Sequence, residues 1–95
     1  MLYELIYSRT SRDQIRTLHP QVKSLVKSYI VQLKENPYEG KALERELSGF
    51  YSLRLKRFRV IYRIDHQNHM VRIYHVGHRR NIYELFSEMV AKTSS

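Results

Sequence analysis

The chain has 95 residues and no cysteine, which bounds it to one small domain held by packing alone and excludes disulfide staples and thiolate metal sites. No apolar run approaches the roughly 18 residues a membrane span requires, and the N-terminus lacks a basic-then-apolar leader pattern, so a cytoplasmic protein is expected. Seventeen Lys and Arg against nine Asp and Glu give a net charge of +8, split as +2 over residues 1–40, +7 over 41–80 and −1 over 81–95, so a footprint for a polyanion is expected mid-chain.

Leu2–Tyr7 is apolar and aromatic apart from Glu4 and reads as a short strand. Ser8, Thr10 and Ser11 offer N-caps for a short helix ending near Leu18, with Ile15 and Leu18 on its buried side. His19-Pro20 restarts the chain, because proline suits the first turn of a helix, where its missing N–H is not needed. Val22, Leu25, Val26, Tyr29, Ile30 and Leu33 follow at three- and four-residue spacings, so Pro20–Asn36 is expected to be an amphipathic helix closed by Pro37. Tyr38–Gly49 is polar, with Gly40 and Gly49 as turn points.

After Gly49 the period falls to two. Tyr51, Leu53 and Leu55 alternate with Ser52, Arg54 and Lys56; Val60, Tyr62 and Ile64 alternate with Arg59, Ile61 and Arg63. Val71, Ile73 and His75 alternate with Met70, Arg72 and Tyr74. The connections between these three strands are short, so they form antiparallel hairpins. Gly77 closes the last strand. Asn81 with Glu84 then resembles a capping pair for a helix carrying Ile82, Leu85, Phe86, Met89 and Val90 on its apolar side. The tail 92–95 is expected to fray. The expected product is a single α+β domain over residues 1–95, ordered β-α-α-β-β-β-α. It has a sheet of about four strands with the two N-terminal helices packed on one face.

Such a sheet leaves its second face open, and strict alternation lines that face with Arg54, Lys56, Arg59 and Arg63. Like charges gathered across strands are unfavourable, and a phosphate-bearing ligand relieves the cost, since guanidinium forks match phosphate oxygens. A second cluster, Gly77-His78-Arg79-Arg80-Asn81-Ile82-Tyr83, lies where loops commonly display function. Nucleotide-binding glycine loops, zinc-ligand sets and paired-carboxylate motifs are all missing, and His66 and His69 lack companions for a metal site. Neither a metal nor a cofactor is expected. Cleavage of a phosphodiester would then draw its nucleophile from the substrate, an RNA 2′-hydroxyl, with cations stabilising the phosphorane.

Leu47-x-Gly49, Leu53-Arg54-x-x-x-Phe58-Arg59-Val60-x-Tyr62 and Gly77-His78-Arg79-Arg80 with Tyr83 together resemble the core of the RelE/ParE superfamily of toxin–antitoxin toxins. The resemblance, which covers nearly the whole chain, implies a RelE-like fold. In the RelE-like branch it implies ribosome-dependent, metal-independent cleavage of mRNA. It implies phosphate and transition-state binding by Arg59 and Arg79, and base stacking or orientation of the attack by Tyr83. Arg54 falls where such toxins place a lysine. Ser52 falls where they can carry another, so the pattern departs there, with Lys56 as a nearby substitute. Arginine is a poor general base, which leaves His78 as the local proton-transfer candidate, and Ser52, Lys56, Arg63 and Arg80 as RNA-binding candidates. The resemblance also implies a small cognate antitoxin, with the ribosome and mRNA as targets and DNA reached only through the antitoxin complex. A ParE-like toxin that inhibits DNA gyrase by protein contact is the alternative.

Overall fold

The protein's structure, a computed structural model, describes residues 2–94. Its strands are β1 (Glu4–Tyr7), β2 (Lys41–Ala42), β3 (Tyr51–Leu55), β4 (Phe58–Asp65) and β5 (Met70–His78). They form one sheet in the order β1-β5-β4-β3-β2, with β1 parallel to β5 and the other neighbours antiparallel. The helices are α1 (Arg9–Arg16), α2 (Pro20–Gln32) and α3 (Ile82–Ser94). This is the expected α+β arrangement with one addition, the edge strand β2, whose two residues are too few to show a period.

Local chemistry sets the helix ends. The Ser8 hydroxyl caps α1 by accepting from the Ser11 N–H at 3.0 Å. Pro20 opens α2, and the His19 ring accepts from the Gln21 N–H at 3.2 Å. The α2 helix stops four residues short of Asn36. Leu33, Lys34 and Glu35 instead donate to carbonyls three residues back, a tightening that uses up orphan helix carbonyls before Pro37. At the other end of the chain, α3 continues through Ser94, so positions 92–94 are helical; Ser95 lies outside the described residues.

Two apolar layers sandwich the sheet. On one side Val26 and Ile30 of α2, with Leu33 just beyond it, pack on Leu53, Leu55, Val60, Tyr62 and Ile73. On the other, Ile82 and Phe86 of α3 pack on Ile61 and Leu47. The second face is therefore not open along its length, as alternation alone suggests. Ile61 sits on it between Arg59 and Arg63, and burying that side chain requires a cover, which α3 supplies.

A bulge corrects the reading of β5. Ile61 pairs with His75 while Tyr62 pairs with Ile73, leaving Tyr74 as the extra residue. His75 is thereby turned from the Val71 and Ile73 side to the α3 side, buried 5.8 Å from the Phe86 ring. Side chains at the start of α1 meet the backbone here. Ser11 and Ser8 donate to the carbonyls of Ile73 and Tyr74, each at 3.0 Å. The Gln14 Oε1 accepts from the Val76 N–H at 2.7 Å, which directs the Gln14 amide nitrogen at the His75 ring, 3.1 Å away.

Candidate active site

Ser52, Arg54 and Arg59 occupy the α3 side of the sheet by strand parity. Arg54 and Arg59 are direct cross-strand partners, a like-charge pairing that an anion would relieve. Arg54 is exposed, whereas Arg59 is only 8% exposed and already held. Its Nη1 donates to the Lys56 and Phe58 carbonyls at 2.9 and 2.8 Å, so the Nε–Nη2 edge carries the remaining donors of the fork. Two carbonyls of the β3–β4 hairpin thus fix the guanidinium before anything binds.

The same hairpin anchors the loop after β5. The Arg79 N–H donates to the Arg57 carbonyl at 2.7 Å, and the Arg80 N–H donates to His78 Nδ1 at 3.2 Å. These bonds bring both arginines beside Arg54 and Arg59. One turn further, Tyr83 stands in the first turn of α3 with its phenol oxygen 2.8 Å from Ser52 Oγ.

Together these residues line a groove of about 920 Å³. Its far wall is Glu39-Gly40-Lys41, with Tyr29 and Gln32 of α2 behind. Tyr62 holds that wall by donating to the Pro37 carbonyl at 2.6 Å and accepting from the Gly40 N–H at 2.9 Å. Position 40 has no room for a side chain, because a Cβ there would lie 2.6 Å from the Tyr62 oxygen. Burial pushes the Tyr62 phenol up to about 12. Five cations (Lys41, Arg54, Arg59, Arg79 and Arg80) face one carboxylate, Glu39, across the groove, so its field favours a polyanion.

Of the residues singled out from the sequence, the groove gathers Ser52, Arg54, Arg59, Arg79, Arg80 and Tyr83. Three others lie elsewhere. Lys56 is the first residue of the two-residue β3–β4 turn, at φ 54°, and borders α2 near Val22 and Leu25. Arg63 lies against the Phe50 ring, 5.3 Å from its centroid, in a depression lined also by Phe86 and Tyr74. His78 shares the sheet face of Phe58, 6.0 Å from its ring, because it follows Gly77, the partner of Arg59, by one residue. The expectation that Arg54, Lys56, Arg59 and Arg63 line one surface therefore holds for only two of the four. A turn displaces Lys56, and the Phe50–α3 packing intervenes before Arg63.

Sequence reading missed Lys41, Glu39 and the α2 pair. Their signal was tertiary: Tyr62 folding the 37–41 strip onto the β3 edge. Among the described residues, no three His, Asp or Glu side chains gather as a set capable of holding a metal ion.

The model of the ParE toxin of type II toxin–antitoxin systems matches residues 3–83. Toxin RelG of Mycobacterium tuberculosis is 35% identical over 85 residues, covering 87% of this chain and 98% of that protein. The chain belongs to the RelE/ParE family of toxins. Its similarity to RelE proteins puts this RelE/ParE toxin in the RelE-like branch. The RelBE2 toxin–antitoxin complex of the same bacterium superposes with a TM-score of 0.78 at 33% identity, covering 83% of this chain and 100% of that one. A variant of Escherichia coli RelE in the free state gives 0.78 at 23% identity, over 97% of this chain and 98% of that one, a likeness of fold. No helix among the described residues of the toxin is long and apolar enough to cross a membrane.

Proposed function

We propose that the groove is where this RelE-like toxin cuts mRNA on the ribosome. The chain is an endoribonuclease toxin that halts translation. In its reaction the 2′-oxygen of a nucleotide bonds to the adjacent phosphorus as the bond from phosphorus to the 5′-oxygen breaks. One product ends in a 2′,3′-cyclic phosphate. The other carries a 5′-hydroxyl, the leaving oxygen having taken up a proton while the 2′-hydroxyl gave one up.

The observation that carries this reading is the pre-held Arg59 fork beside Arg79 and the Tyr83 phenol, in a groove with five cations and one carboxylate. Arg59 and Arg79 stabilise the charge that develops on the phosphorane oxygens. Arg54 and Arg80 grip the flanking backbone, and Tyr83 meets the scissile nucleotide by its ring face and hydroxyl. Arginine is a poor base, so ribosomal groups closing the groove complete proton transfer. Free RNA is then cut slowly or not at all.

The toxin acts in the cytoplasm, where its target is. A small cognate antitoxin with an acidic segment covers the basic groove, folding as it binds, and DNA is reached only through that complex. The ParE name of the matching family supports a second reading, gyrase inhibition, but protein contact gives no reason for a phosphate-shaped arginine cluster. Purified toxin added to ribosomes carrying mRNA, beside a gyrase supercoiling assay, separates the two. Cut message with intact supercoiling is expected, and the opposite pair of results overturns the nuclease reading.

A further inference from the structure

We propose that Ser52 is a positioning residue for cleavage, acting through the Tyr83 phenol rather than by touching RNA. The inference rests on the groove being the site of RNA cleavage.

Ser52 is only 5% exposed, in the middle of β3, so its hydroxyl offers almost no surface to a ligand. Its strand is paired on both sides, with Lys41 of β2 and Ile61 of β4 as the direct neighbours of Ser52, and its backbone is correspondingly fixed. The Ser52 hydroxyl lies 2.8 Å from the Tyr83 oxygen. Tyr83 itself is 37% exposed on the first turn of α3, where Ile82 before it and Phe86 after it are buried. Packing therefore anchors the helix but not the Tyr83 ring. The hydrogen bond across to the sheet supplies the missing constraint on where the phenol points.

The chemistry of the pair suits that role. Each hydroxyl has one donor and two acceptor sites, and either can be the donor here. When Ser52 donates, the phenol keeps its own proton to give to a phosphate oxygen or a leaving oxygen. When the phenol donates, it keeps a lone pair facing the groove. In both states the ring is pinned and one polar function stays open to substrate. A side chain that merely filled space under α3 would need no hydroxyl.

The test is a double-mutant cycle in single-turnover cleavage of mRNA on preassembled ribosomes. The proteins compared are the wild type, Ser52→Ala, Tyr83→Phe and the double variant, with Ser52→Thr as the conservative replacement. Ser52→Ala is expected to slow cleavage roughly 10- to 100-fold, the scale on which a misplaced group costs rate, while half-saturation moves little. On the Tyr83→Phe background the same change should cost under about twofold, since the hydroxyl it acts through is gone. Ser52→Thr, which keeps a hydroxyl, should recover most of the rate. Equal fold losses on both backgrounds, or wild-type cleavage by Ser52→Ala, overturn the proposal and leave the nuclease assignment standing. A wild-type protein that leaves ribosome-bound mRNA intact overturns both.

Discussion

Replacing Arg59 by alanine removes a guanidinium that the hairpin carbonyls of Lys56 and Phe58 hold in place without a ligand. Because that arrangement needs no reorganisation during the reaction, the loss should be large, roughly 10²–10³ in the rate of mRNA cleavage. Arg72 is the control. It lies on β5, outside the groove, 4.0 Å from Asp65. Arg72→Ala should cut within about twofold of wild type, the scatter expected of a surface change. Equal losses for the two variants would show that only bulk positive charge matters. His78 makes a sharper case, because its sequence position beside Arg79 suggests proton transfer while its placement does not. The ring meets Phe58 and accepts from the Arg80 N–H on the side of the sheet away from Arg59. His78→Gln should therefore leave the shape of the pH–rate profile unchanged, and a profile flattened near neutrality would return His78 to the chemistry.

The elements themselves were largely legible. The stripe from Val22 to Leu33 announces α2, and the parity of residues 51–64 announces which side chains face it. Ile30 is fully buried, so Ile30→Ala should cost about 2–5 kcal/mol in a urea melt. Leu25, only half-buried on the same stripe, should cost less. Legibility fails where tertiary contacts break a period. The bulge at Tyr74 flips His75, and no local pattern marks it, because the extra residue is recognised only by its partner strand. That flip has a measurable consequence. Burial lowers the His75 pKa from its ordinary 6.5. Between the folded value and 6.5 the unfolded chain binds a proton that the folded chain does not. The His75 contribution to stability is therefore complete above 6.5 and lost as pH falls through the folded value. Stability measured against pH should lose that component of its slope in His75→Gln. An identical slope in both proteins would mean that His75 titrates alike folded and unfolded.

At the scale of the molecule, the groove joins parts that are remote in the chain: a strip at residues 39–41, two strands of a hairpin, and a loop near position 80. Sequence reading could find the arginine-rich pieces from charge and from family likeness. It could not find that Tyr62 draws Gly40 and its neighbours onto the β3 edge, since that depends on a buried phenol meeting two backbone groups from residues 37 and 40. Nor could it see Lys56 leave the cluster for a turn, or Phe50 and α3 screen Arg63. The surviving cluster of Arg54, Arg59, Arg79 and Tyr83 is smaller than alternation suggests, and the reading proposed for it is a phosphodiester whose own 2′-hydroxyl attacks. The chemistry of the cut ends tests that reading most directly. Toxin-treated messages on ribosomes should carry a 2′,3′-cyclic phosphate upstream and a 5′-hydroxyl downstream, whereas a 3′-hydroxyl paired with a 5′-phosphate would contradict 2′-hydroxyl attack and the roles given to Arg59, Arg79 and Tyr83.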